Sequence, residues 1–192
     1  MLGTLIELQR LKGLERTGWM LRGLGRGAES VAAHSYGVAV VSMLLADELT
    51  ARGVELDVEK VLRIALIHDW AEARVGDMPR TATEYFGADS RRNAERAAFD
   101  DMVRDCGERH KILYSELHAD YEHRETIEAR LVKAADLIDL LIQTLAFERA
   151  GARGLDEFWE GVSEANLGLD GVAHEVVADL LRRLSDARRE IK

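Results

Sequence analysis

Apolar residues recur along this chain three and four positions apart, and strict apolar–polar alternation is almost absent, so the pattern predicts helices and no sheet. Leu5, Leu8 and Leu11 mark a first helix over about residues 3–13. A Gly- and Arg-rich stretch from Arg16 to Gly27 reads as a loop broken by a short turn. Val38, Val41, Leu45 and Leu49 form the stripe of a helix from near Ser30 to about Arg52, and Gly53 sits where a helix-ending glycine belongs. Asp57 is placed to cap a third helix, which carries Val58, Val61, Leu62, Ala65 and Leu66 and runs to about Ala73. Val75-Gly76-Asp77-Met78-Pro79 breaks it. A charged helix over Ser90–Asp105, closed by Gly107, and another over 109–122 follow. Thr126 then caps a helix reaching Ala150 before Gly151, and two amphipathic helices near 155–165 and 171–190 end the series.

With 192 residues and neither an internal repeat nor a linker, the chain reads as one all-α domain spanning 1–192. Its motif-bearing core covers about residues 5–150, with the helices of about 155–190 packed on it. Composition changes the picture by exclusion. Thirty-five acidic against 26 basic side chains give a charge of −9, which disfavours nucleic-acid polymers and anionic membranes as partners. The one cysteine, Cys106, allows neither an internal disulfide nor a CxxC metal site, and no neighbouring motif makes it a nucleophile. The first residues lack the basic start and apolar core of a signal peptide, and no run approaches the roughly 20 apolar residues of a membrane span. A soluble, cytoplasmic protein is expected. No GxxxxGK[ST] loop is present, which argues against a P-loop site.

The chemistry concentrates in Leu66-Ile67-His68-Asp69-Trp70-Ala71-Glu72, where polar groups interrupt an apolar helix and need partners if buried. Glu72 follows His68 by four positions and Asp69 by three, so the three are expected on one helix face, and Asp77 comes soon after. His34 lies at the start of an earlier helix and Asp136 within another apolar one. Two imidazoles and two carboxylates from three helices suit a mixed N/O metal site. The same residues also admit plainer readings. A lone buried histidine is more often a hydrogen-bonded core residue, Asp136 can pair with Lys133, and Glu72 with Arg74 or Arg80. Trp19 alone is as much a core anchor as a binding residue. Asp139 reads as a salt-bridge partner at least as well as a support to the ligands. His110, His118 and His123 lie in a charged segment and are expected to face solvent, with irregular spacing for a further metal; His174 has no claim beyond its type.

His34, His68-Asp69 and Asp136, with these separations and helical contexts, resemble the H…HD…D signature of the HD-domain metal-dependent phosphohydrolases. Leu11-Lys12-Gly13-Leu14-Glu15-Arg16-Thr17-Gly18-Trp19 extends the resemblance, as do Glu29 to Ser35, His68 to Pro79 and Thr126 to Asp136. These added elements are similar to the subgroup of bacterial and archaeal 5′-deoxynucleotidases and the HD domain-containing protein 2 type. Ala33 stands where the family usually has an acid, and Ile127 where a proline is common; neither change removes a ligand.

The resemblance implies a compact helical bundle in which His34, His68, Asp69 and Asp136 hold one divalent ion. Cobalt or manganese is favoured, with zinc, magnesium, iron or nickel also compatible. It implies Glu72 and Asp77 as catalytic acids, Glu72 on the water side and Asp77 on the leaving-group side. Arg16 would face the substrate phosphate. Trp19 would stand on the sugar side, although here Thr17 and Gly18 separate it from Arg16. The expected reaction removes the 5′-phosphate from deoxyribonucleoside 5′-monophosphates, small-molecule substrates, and the expected assembly is a homodimer. Phe158, Trp159, Val162, Leu180, Leu181 and Leu184 would serve as a dimer face or as core. The alternatives are an HD hydrolase of another ester (a metabolite phosphate, nucleoside triphosphate or cyclic nucleotide) and a non-catalytic, metal-stabilised sensing module.

Overall fold

A computed structural model describes residues 1–162 and 165–191. Among them the order is α1 (Leu2–Leu8), a 3₁₀ turn (Gln9–Lys12), α2 (Thr17–Met20), α3 (Val31–Ala51), α4 (Val58–Ile67), α5 (Glu72–Val75), α6 (Arg80–Phe86), α7 (Ala88–Val103), α8 (Glu108–His123), α9 (Ile127–Arg149) and α10 (Gly171–Arg189). Further 3₁₀ turns span Arg104–Cys106 and Asp156–Phe158. The described residues form no strand, only an isolated antiparallel bridge between Glu15 and Ser30. The all-α expectation holds. No described helix is long and apolar enough to cross a membrane.

The backbone divides into two compact units, Met1–Tyr36 with Leu66–His123, and Gly37–Ala65 with Arg124–Lys192. In the first, Leu11, Val31, Ala73 and Met102 form a buried cluster against which Leu8, Leu14, Ala32 and Trp70 pack. Trp70 stacks on Phe99, whose ring stacks in turn on His118, with centroids 4.2 Å apart in the second pair. The Thr4 hydroxyl donates to the Met102 carbonyl (2.8 Å) and ties α1 to the end of α7.

In the second unit α9 and α10 pack together. Ala173, Val177, Leu181 and Leu184, spaced three to four apart, bury the inner stripe of α10. Val162, Leu181 and Leu184 therefore belong to this core, while Phe158, Trp159 and Leu180 are half-buried. The Arg188 guanidinium reaches buried Glu148 (2.6 Å) and Asp156 (2.7 Å) and lies over the Trp159 ring. The Thr126 hydroxyl accepts the Ala129 N–H as the expected cap of α9. Asp57 likewise accepts the Lys60 N–H at the start of α4 (2.9 Å).

Three elements depart from the sequence reading. The third helix ends at Ile67 instead of Ala73: the Trp70, Ala73 and Arg74 N–H groups bond three residues back, so the chain tightens into turns across His68–Ala71. Helix α6, in a segment given no element by the sequence pattern, starts directly after Pro79, whose fixed φ suits a helix entrance. The segment expected as a helix over 155–165 is a 3₁₀ turn followed by turns, and its Ser163 and Glu164 lie outside the described residues.

Candidate active site

Short sequence elements fix this site. The Leu14 carbonyl accepts the Val31 N–H (2.8 Å) and the Glu29 carbonyl accepts the Arg16 N–H (3.0 Å), so the strap that carries Arg16 lies beside the entrance to α3. The Ser30 hydroxyl caps that entrance by accepting the Ala33 N–H (3.2 Å). His34 follows within the first turn of α3 and is fully buried. The turn after α4 brings His68 beside it, with ring centroids 5.6 Å apart and edge to face. Tyr121 of α8 backs His68 at 5.3 Å.

Asp69 joins these groups. Its Oδ2 lies 3.2 Å from His68 Nε2, 3.7 Å from His34 Nε2 and 3.3 Å from Arg16 Nη1. Burial would raise the Asp69 carboxyl, but His68, His34 and Arg16 outweigh it and hold it below the usual carboxylate range. Arg16 also faces Asp77 Oδ1 at 3.6 Å. Glu72, at the start of α5, is buried, and its Oε2 has no hydrogen-bond partner among the described residues. Burial pushes its pKa well above the ordinary value, the Asp69 and Asp77 charges push it further, and Arg16 and Arg91 oppose them.

In the first unit the structure thus brings together His34, His68, Asp69, Arg16 and Asp77, with Glu72 electrostatically coupled to them. Two imidazole nitrogens, each within 4 Å of one carboxylate oxygen, make a donor set that fits a divalent ion. The turns at His68–Ala71 correct the expected single helix face: a tightened backbone, and not one helical stripe, places His68, Asp69 and Glu72. Of the two partners the plainer reading offered Glu72, only Arg74 can be followed. Arg74 pairs instead with Glu7 and Asp101 at the surface, and the Arg80 side chain lies outside the described residues.

The remaining candidates fall in different places. Trp19 is 1% exposed, and its indole N–H donates to Glu29 Oε2 at 2.6 Å. Asp136, on α9 in the second unit, is half-buried and accepts from Lys133 Nζ (2.7 Å), the ion pair the plainer reading anticipated. Asp139 packs against the backbone of α3 at Gly37. His110 and His123 are exposed as expected, but His118 is buried against Phe99. Its pKa falls to about 4, chiefly because burial disfavours the charged ring. Sequence reasoning passed over Thr17, Glu29 and Tyr121 as parts of the site. Thr17 sits inside the Arg-Thr-Gly-Trp element, whereas nothing local marks Tyr121, which reaches His68 from 53 residues away.

Comparisons with known proteins identify the family. The family model of the HD domain matches residues 8–164. The 5′-deoxynucleotidase HDDC2 of Xenopus laevis is 32% identical over 144 residues, 75% of this chain and 67% of that protein. The 5′-deoxynucleotidase hdd1 of Schizosaccharomyces pombe is 32% identical over 161 residues, 80% of this chain and 77% of that protein. A solved structure of a conserved hypothetical protein from Pyrococcus furiosus is 37% identical, with a TM-score of 0.80 over 98% of this chain and 99% of that one. The matched region begins before the Arg16 strap and ends beyond α9, so every residue singled out for chemistry falls inside it. By sequence and by fold, this chain belongs to the HD-domain family.

Proposed function

We propose that this protein is a metal-dependent phosphomonoesterase that removes the 5′-phosphate from deoxyribonucleoside 5′-monophosphates. The observation that carries the reading is the placement of the Arg16 guanidinium, a phosphate-gripping group, on the same Asp69 oxygen that faces both imidazoles. The substrate class comes from the relatives, which are 5′-deoxynucleotidases. His34, His68 and Asp69 would hold one divalent ion, and Asp136 is assigned as the fourth ligand on the sequence pattern alone. Cobalt or manganese is the favoured ion. When bound, it supplies Lewis-acid polarisation of a phosphate oxygen.

The chain's own residues do the rest. Arg16 exchanges its contacts with Asp69 and Asp77 for phosphate oxygens, which its planar donor fork matches. Glu72 takes a proton from the attacking water; a carboxylate whose pKa is raised by burial and neighbouring acids is the stronger base. Asp77 stands on the leaving-group side, and the proton delivered to the departing 5′-oxygen is the one that Glu72 removes from the water. Trp19, buried on Glu29, acts on the sugar side only through the strap it anchors. A homodimer, on the family resemblance, and a cytoplasmic location complete the reading.

The test is phosphate release by chelator-stripped protein with cobalt, manganese, magnesium or zinc added back. Substrates are matched deoxy- and ribonucleoside 5′-monophosphates, 3′-monophosphates and triphosphates, with Asp69→Ala controlling for contaminating phosphatase. Metal-dependent release from the deoxy 5′-monophosphates, lost in the control, is expected. Metal binding with no release from any of them sinks the reading.

A further inference from the structure

Thr17 touches Asp77 at two points, although 60 residues separate them. Its main-chain N–H donates to Asp77 Oδ2, and its side-chain hydroxyl donates to the Asp77 carbonyl at 2.6 Å. The other carboxylate oxygen, Oδ1, is left facing Arg16 Nη1 at 3.6 Å. Thr17 is itself held. The Arg16 N–H before it bonds the Glu29 carbonyl, the Trp19 N–H two residues on bonds the Arg16 carbonyl, and the Trp19 indole is locked on the buried Glu29 carboxylate. The strap is therefore fixed at Glu29, on the segment that leads into α3 and His34, before it reaches Asp77.

The Asp77 segment is tied at its start, where the Gly76 N–H bonds the Glu72 carbonyl (2.8 Å). It follows Gly76, whose φ of +80° ends α5, and precedes Pro79, which has no N–H to offer. Neither residue donates to the Asp77 carboxylate, so donors from other segments set its direction.

We propose that Thr17 is a positioning residue for the phosphatase reaction: its two hydrogen bonds set the direction of the Asp77 carboxylate and keep Oδ1 beside Arg16. The proposal deepens the reading above and rests on it. Thr17 touches neither phosphate nor ion in this role; it acts through Asp77. The hydroxyl can be removed without the main-chain donor, so the side-chain half of the clamp is separately testable.

Steady-state phosphate release from a deoxyribonucleoside 5′-monophosphate is measured for wild type, Thr17→Val, Thr17→Ser, Asp77→Asn and the Thr17→Val/Asp77→Asn double variant, with thermal melts for each. Thr17→Val is expected to lower kcat about 10-fold with KM changed less than about 2-fold, because misorientation of an acid weakens the transition state more than substrate binding. Thr17→Ser, which keeps the hydroxyl, restores most of kcat. In the Asp77→Asn background the valine adds no further loss, since the group it positions is already gone. Should valine fail to fold, Thr17→Ala takes its place. Wild-type kcat in the folded Thr17 variant, or the same fold-loss in both backgrounds, overturns the assignment. Absence of release by wild type overturns the nucleotidase reading instead, and the assignment falls with it.

Discussion

Glu72 combines burial with two neighbouring carboxylates, an arrangement that costs stability unless a proton or a ligand relieves it. Such a cost at one residue is characteristic of a working site, where pKa tuning is the return. His118 shows the same physics beside the site, close enough to feel His68 and Asp69. Its ring is buried on Phe99, and its pKa of about 4 lies below the ordinary 6.5. The unfolded chain therefore binds this proton more readily than the folded one. The stability that neutral His118 confers is complete above about pH 6.5 and disappears as pH falls toward 4, a loss of about 3 kcal/mol at most. His118→Phe keeps the stacking and removes the proton. Urea unfolding at pH 7 and pH 4.5 should show a smaller acid loss in the variant than in wild type; equal losses would assign the acid sensitivity to other groups.

At the scale of the element, Gly37 is a fixed requirement of α3. A β-carbon there would lie 2.7 Å from Asp139 Cγ, so the Asp139 carboxylate occupies the space that an alanine methyl would need. Alanine would favour the helix by about 1 kcal/mol but would force Asp139 aside at a cost of about 1–3 kcal/mol. Gly37→Ala is expected to lower stability, whereas Gly37→Ala/Asp139→Ala should recover most of it. Chemical denaturation of the single and double variants measures this coupling, and additive effects would remove the steric explanation. The turns after α4 belong to the same scale. Bonds to the third residue back, instead of the fourth, rotate Asp69 and Glu72 off the stripe that the periodicity projected.

On the scale of the whole molecule, a chain of net charge −9 contains a local cluster of carboxylates and imidazoles, so a divalent cation would meet no global electrostatic barrier there. Binding only the folded state, such an ion stabilises by mass action, about 2.7 kcal/mol at a hundred times its Kd. Cobalt or manganese added to stripped protein should raise Tm, and Asp69→Ala should abolish the rise. An unchanged Tm in wild type would remove the ion from the folded site.

Much of this was legible in the sequence. Apolar spacing fixed α3, α9 and α10 nearly to the residue, because a helix that buries one face must repeat every three or four positions. Thr126, Gly53 and Gly107 marked element ends because caps and positive φ are local requirements. Residue type likewise made His34, His68, Asp69, Glu72, Asp77 and Arg16 candidates, since few side chains can ligate, grip phosphate or carry protons. Burial and distant pairing were not local in this way. His118 looked solvated within a charged segment, yet the fold set its ring on Phe99. The Trp19 N–H met its partner Glu29 only in the fold, and Thr17, marked only by its place in the Arg-Thr-Gly-Trp element, met Asp77 from 60 residues away. Periodicity and capping chemistry act over a few residues, so the sequence alone determined the helices and the kinds of groups on offer. Contacts across the chain depend on how those helices pack, so only the tertiary structure decided which groups meet and which are sealed from water.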